Sequence, residues 1–197
     1  RRRYTPVKGE IRRMKTNQNR LYTIIAASVM IALVCVMTMV VRIPTPTKGY
    51  LNLGDCFVLL GGWLLGPLYG FLAGGIGSGL ADLLSGYPVY IPGTFIIKGL
   101  MALAFARLYH TRGAKREGDL SFGWFLGAVV AEAIMVVGYY LYEAIFMGEG
   151  FAGALLGVSG NAMQGIVGAV CACLLTKAIG QTGIYQKFGY AAIKKRG

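Results

Sequence analysis

Acidic residues and histidine are scarce in this chain. Its 197 residues include 8 Asp and Glu against 20 Lys and Arg, a single His, and only 14% charged residues in all. One His cannot complete a zinc set, and it leaves little with which to build a base beside a nucleophile. Cysteine is equally sparse. Cys35, Cys56, Cys171 and Cys173 sit in apolar context, where free Cys behaves as a small hydrophobe. Cys171 and Cys173 are two residues apart, which points them to nearly opposite faces of a helix, so nothing here reads as a metal site. No Gly-x4-Gly-Lys-Ser/Thr phosphate loop occurs, so the chain cannot drive a process by its own nucleotide hydrolysis. Period-two alternation is also missing, which excludes a transmembrane β-barrel.

Apolar residues and glycine are abundant. The chain is 55% hydrophobic with 30 Gly, an integral membrane profile. Crossing about 30 Å of hydrocarbon takes roughly 20 helical residues. Apolar segments run from Leu21 to Val41, Leu53 to Leu65, Leu68 to Leu84, Gly93 to Tyr109, Phe122 to Phe146 and Gly153 to Ile179. They predict an all-α integral membrane protein of six transmembrane helices, the second one short. A single domain over residues 21–180 then lies between a basic segment, 1–20, and a basic tail, 181–197. Pro44, Pro46 and Gly49, then Gly66-Pro67, then Gly86, Pro88 and Pro92, then Gly148 and Gly150 mark the turns.

The loops carry the positive charge unevenly. Arg1, Arg2, Arg3, Lys8, Arg12, Arg13, Lys15 and Arg20 precede the first span, Arg107, Arg112, Lys115 and Arg116 flank the fourth loop, and Lys177, Lys187, Lys194, Lys195 and Arg196 come last. The other face has only Arg42 and Lys48. By the positive-inside rule both termini are cytoplasmic, in keeping with an even number of spans. The net charge of +12 is therefore topological, with lipid headgroups rather than nucleic acid as its partner. The first apolar run, about 21 residues long, exceeds a signal-peptide core and lacks a cleavage site, so it reads as an anchored helix. Met14 looks like a translational start, and Arg1 to Arg13 read as an extension without a role in the fold.

Charge inside a bilayer is costly and marks function. With this topology Asp55 is shallow in the second span, Asp82 lies near the outer end of the third, and Lys98 lies roughly 9 Å into the fourth. Tyr139, Tyr140, Tyr142 and Glu143 come near the outer end of the fifth, Asn161 and Gln164 some 15–20 Å down the sixth, and Glu132 near the midplane. Asn161 and Gln164 share a helical face, and an amide both donates and accepts, as reading a heteroaromatic ring requires. Lys98 offers a cation or donor, Asp55 or Glu143 its counter-ion, and tyrosines such as Tyr90 and Tyr139 offer stacking walls. The competing reading has Asp55 and Asp82 capping helix ends and pairing structurally with Lys98. On the first span Ser28 and Ala32 form a small-x-x-x-small pair that another helix could approach closely. Gly157-Val158-Ser159-Gly160 matches the motif of rhomboid-type proteases, but His110 sits at the opposite end of its own span, far from Ser159.

Four strings in order carry a family resemblance: Gly49-Tyr50-Leu51-Asn52-Leu53-Gly54-Asp55, Leu65-Gly66-Pro67-Leu68-Tyr69-Gly70, Gly77-Ser78-Gly79-Leu80-Ala81-Asp82-Leu83-Leu84-Ser85-Gly86 and Pro92-Gly93-Thr94-Phe95-Ile96-Ile97-Lys98-Gly99. From Leu21 to Ile179 the chain resembles the vitamin-binding S components of energy-coupling factor (ECF) transporters, closest to the riboflavin-type group. The resemblance implies a non-enzymatic subunit of the bacterial plasma membrane, without a cofactor, that captures a vitamin at its outer face. It further implies toppling in the bilayer to deliver the vitamin through a membrane T component with two cytoplasmic ATPases. The loop from about Pro44 to Asn52 would act as a lid. Asn52, Asp55, Tyr90, Lys98, Tyr139, Glu143, Asn161 and Gln164 would form the pocket. Ser28 and Ala32 stand where such proteins carry an Ala-x-x-x-Ala surface for the T component. Riboflavin, pyridoxine and hydroxymethylpyrimidine all fit the expected pocket. The alternative is a small ion-coupled carrier, working as a homodimer with Glu132 as its proton site.

Overall fold

The computed structural model describes residues 8–40, 43–44, 50–112, 120–183 and 185. Residues 45–49 of the expected lid, Lys115 and Arg116 of the fourth loop, and most of the basic tail lie outside the described residues. The helices are α1 (Lys8–Val40), α2 (Gly54–Leu84), α3 (Ile91–Thr111), α4 (Phe122–Ile145) and α5 (Gly150–Gln181). A 3-10 turn, Pro88–Tyr90, leads into α3. Between α1 and α2, β1 (Ile43–Pro44) pairs antiparallel with β2 (Tyr50–Leu51), a ribbon the sequence pattern does not announce. Among the described residues five helices are long and apolar enough to cross a membrane.

The difference from the six expected segments lies in α2. Gly66 has φ 79 and ψ −173, a conformation essentially reserved for glycine, and Pro67 follows it without an N–H to continue the ladder. The chain folds back there. A Cβ added to Gly70 would lie 2.8 Å from Gly62 Cα, and one on Gly74 would lie 3.2 Å from a Val58 methyl, contacts that only antiparallel arms can make. The two expected segments thus form a helical hairpin within one element, and its first arm, residues 54–65, rises only about 18 Å.

Packing follows from the missing side chains of glycine. Lipid tails are as apolar as leucine, so helices in a bilayer associate through close contact rather than through a hydrophobic drive. The α2 hairpin is central and packs on α1, α3 and α5, while α4 bridges α3 and α5. Along α2 a Cβ at Gly62 would come 2.6 Å from the Ala102 carbonyl, and one at Gly74 would come 2.8 Å from the Lys98 carbonyl. These glycines form a trough for α3, so the small-residue spacing on α2 serves packing within the chain. Val58, Leu59, Trp63, Met101, Phe105 and Met135 fill the interior. At the far end Tyr185 stacks on Trp63 with centroids 4.6 Å apart.

Local signals set the helix ends. Ser121 caps α4 by accepting from the Trp124 N–H at 3.3 Å. Pro92 sits in the first turn of α3, where its missing N–H costs nothing. Gly86, with φ 82, ends α2. The starts of α3 and α5 and the end of α4 lie at one end of the bundle, whereas the start of α2 lies deeper than the expected shallow position, with Asp55 against Gly168, about 27 Å along α5 from its start.

Candidate functional site

Around the start of α2 the polar residues from distant segments meet. Asp55, in the first turn of α2, is fully buried. It fits because Gly168 of α5 has no side chain; a Cβ there would stand 2.8 Å from Asp55 Cβ. Lys98 of α3 forms an ion pair with Asp55 Oδ1. The other carboxylate oxygen accepts from Gln164 Nε2 at 2.6 Å. Gln164 Oε1 accepts from the Asn52 N–H at 2.7 Å, and Asn52 Oδ1 accepts from the Gly54 N–H at 2.8 Å. One network therefore joins the loop before α2 to α3 and α5.

Aromatic rings form a second layer. The Lys98 ammonium lies 5.4 Å from the centroid of the Tyr139 ring, within cation–π reach. Tyr139 shares a hydrogen bond with Thr94 Oγ1 at 3.0 Å. The Tyr90 hydroxyl donates to Glu143 Oε1 at 3.3 Å, and the Tyr90 ring lies 6.4 Å from Tyr139 and 6.1 Å from Tyr142. Tyr142 donates to the Val89 carbonyl at 2.6 Å, its ring lying over Gly93, where a Cβ would come within 2.6 Å. The 3-10 turn is thus pinned to α4 by two hydroxyls.

The structure brings together Asn52, Asp55, Lys98, Tyr139 and Gln164, with Tyr90 and Glu143 as an adjoining pair. Lys98 is 2% exposed and committed to Asp55, the structural pairing that the sequence left open as the competing reading. Asn161 stays outside this network, partly buried on α5 one turn before Gln164. Ser28 and Ala32 are exposed on α1, and the Ser28 hydroxyl donates back to the Ile24 carbonyl at 3.0 Å. Thr94, Tyr142 and Gly168 were not singled out as pocket residues. Thr94 and Lys98 have the four-residue spacing of one helix face, and Tyr142 follows Tyr139 by three; Gly168 leaves no trace among so many glycines. Ser159 is exposed on α5, while His110 ends α3 at the other end of the bundle, so no nucleophile and base meet there.

A cavity of about 500 Å³ lies between α4 and α5. Its walls are almost entirely apolar, with Glu132 among the residues lining it. Cavity size does not decide where a polar ligand is read. Side-chain donors and acceptors from three helices converge in the Asp55 network.

Residues 18–181 match the family described as ECF-type riboflavin transporter, S component. The chain belongs to that family. As an S component it is a non-enzymatic, vitamin-binding subunit of a transporter and a multi-pass membrane protein. It is 38% identical over 138 residues to an uncharacterized protein of Pyrococcus woesei, covering 70% of this chain and 87% of that one. Its fold is similar to that in a structure titled "Structure and mechanism of the S component of a bacterial ECF transporter". The TM-score is 0.66 at 20% identity, over 83% of this chain and 98% of that chain.

Proposed function

We propose that this S component captures riboflavin, or a smaller heteroaromatic vitamin such as pyridoxine or hydroxymethylpyrimidine, at the ribbon end of the bundle. That end faces outward and both termini are cytoplasmic, with the two arms of α2 counting as separate crossings of a six-span topology in the plasma membrane. The observation that carries the reading is the Asn52–Gln164–Asp55–Lys98 network beside Tyr139 and Tyr90. It offers donors, acceptors and flat rings within a few ångströms, the equipment a planar hydrogen-bonding heterocycle needs. A ligand enters by exchanging its own edge for bonds these residues make to one another. The segment before Asn52 acts as the lid, since the Asn52 N–H ties it to Gln164. The exposed Ser28 and Ala32 face of α1 receives the T component, which carries two cytoplasmic ATPases.

Purified protein titrated with riboflavin should quench flavin fluorescence saturably, and native mass spectrometry should find the vitamin bound. Asn161→Ala removes an amide beside the network without breaking it and should weaken binding about tenfold, the scale of one lost hydrogen bond. A protein that binds none of the three vitamins refutes the reading. The ion-coupled carrier keeps one supporting observation, the buried Glu132 carboxylate without a hydrogen-bond partner. Uptake that persists after the ATPases are removed favours that carrier.

A further inference from the structure

Glu132 is an acidic residue that the hydrogen bonds of the Asp55 network leave out. Both of its carboxyl oxygens are buried and have no hydrogen-bond partner, and a buried polar group left unmatched calls for an explanation. In a bilayer that demand is strongest for an ionisable group. Glu132 is nonetheless close to the network. It packs on Gly165 of α5, where an added Cβ would come 2.9 Å from Oε2, and Asp55 packs on Gly168 of the same helix. Residues three apart share a helix face, so α5 sets the two carboxyls side by side. Gln164, which adjoins Gly165, holds Asp55 through its Nε2.

Lys98 lies within range of both carboxyls. Its neighbour Ile97 packs on Gly138 of α4, where an added Cβ would come 2.9 Å from the Ile97 side chain. Glu132 precedes Gly138 by about 9 Å along α4, a span that a lysine and a glutamate side chain cover together. Glu132 accordingly interacts electrostatically with Asp55 of α2 and Lys98 of α3. Cys56 of α2 also faces it, and Cys171 of α5 lies within electrostatic range of Cys56. Lys98 is the cation of this set. Two carboxyls thus share one ammonium, and Asp55 holds it.

We propose that Glu132 is the alternate counter-ion of Lys98, to which the ammonium crosses when a ligand takes its place on Asp55. A buried carboxyl without a hydrogen-bond partner is far less costly as the neutral acid, so Glu132 keeps its proton while Lys98 stays on Asp55. In the exchange the Lys98–Asp55 pair breaks, a ligand N–H donates to Asp55, the Lys98–Glu132 pair forms, and one proton passes from Glu132 to water. The ammonium is never stranded in the bilayer. Glu132 acts through Lys98 and is a positioning residue. This deepens the vitamin reading and rests on it for the ligand, while the exchange of carboxyls can be read without one.

Dicyclohexylcarbodiimide, an apolar reagent that adds to protonated carboxyls, reaches Glu132 through the apolar cavity that Glu132 lines. The acid proton goes to one nitrogen and the acyl group ends on the other, with no leaving group, so peptide mass mapping finds the adduct. The full chain in lipid nanodiscs should be labelled at Glu132, with Glu132→Gln as the blank. Asp55→Asn releases Lys98 to Glu132 and should slow labelling at least ~tenfold. Adding Lys98→Met to Asp55→Asn removes the ammonium and should restore it. A wild type that is not labelled at Glu132, an Asp55→Asn variant labelled as fast as wild type, or a double variant as slow as the single one overturns the proposal. Riboflavin supplies a second readout that does not need the Asn variant to fold. Release of one proton on binding makes wild-type affinity rise with pH, by up to ~tenfold per pH unit, and Glu132→Gln should lack that slope. Equal pH profiles overturn the exchange. Slowed labelling in Asp55→Asn, from a protein that binds none of the three vitamins, supports the exchange and refutes the vitamin reading alone.

Discussion

Replacing Lys98 by Met tests whether the buried ion pair holds the bundle together. Met retains much of the volume but leaves the Asp55 carboxyl, 0% exposed, without its ion-pair partner and with Gln164 Nε2 at 2.6 Å as its remaining side-chain donor. Removing one partner of a buried pair costs about 3–5 kcal/mol. At the lower end of that range, ~3 kcal/mol, the folded-to-unfolded ratio should fall roughly a hundredfold. For a chain of this size that corresponds to a melting temperature lower by about 6–12 °C. Thermal unfolding in mild detergent can be followed through Trp63 and Trp124, both buried in the core. Adding Asp55→Asn to Lys98→Met removes the stranded carboxyl yet keeps an acceptor for Gln164, and should recover most of the loss. A single variant within about 0.5 kcal/mol of wild type, or a double variant less stable than the single, refutes the reasoning.

Gly66→Ala places a side chain at φ 79 and ψ −173 and should destabilise by about 1–3 kcal/mol; unfolding that matches wild type would show that the hairpin can turn another way. Gly93→Ala puts a Cβ 2.6 Å from the Tyr142 ring and should break the Tyr142 bond to Val89, lowering riboflavin affinity severalfold; unaltered binding would separate the 3-10 turn from the site. Ala32→Leu enlarges an exposed position on α1 and should impair co-purification with the T component while sparing vitamin binding. Normal assembly of that variant would move the docking face off α1.

Membrane class, helical content and the identity of the polar residues were legible because each depends on a local property. A run such as Phe122 to Phe146 is long and apolar wherever it packs, and Asp55 and Lys98 are conspicuous in apolar surroundings whatever they touch. Family membership was readable for a related reason, since Leu-Gly-Asp, Gly-Pro and Ile-Lys-Gly are contiguous strings. The turn at Gly66-Pro67 was expected as well, because both residues bias the backbone on their own.

What only the tertiary structure decided is which groups satisfy one another. Asn52 and Gln164 are 112 positions apart, Asp55 and Lys98 43 apart, and no periodicity relates them. Gly168 had no visible role until Asp55 came to lie against it. Glu132 was notable for its depth, yet its lack of a hydrogen-bond partner emerges only once α5 closes over it. Hydropathy and charge are summed along the chain and survive in any arrangement. Pairing depends on the hairpin at Gly66 and on glycine troughs that set how near two helices come, and those distances exist only in the packed bundle.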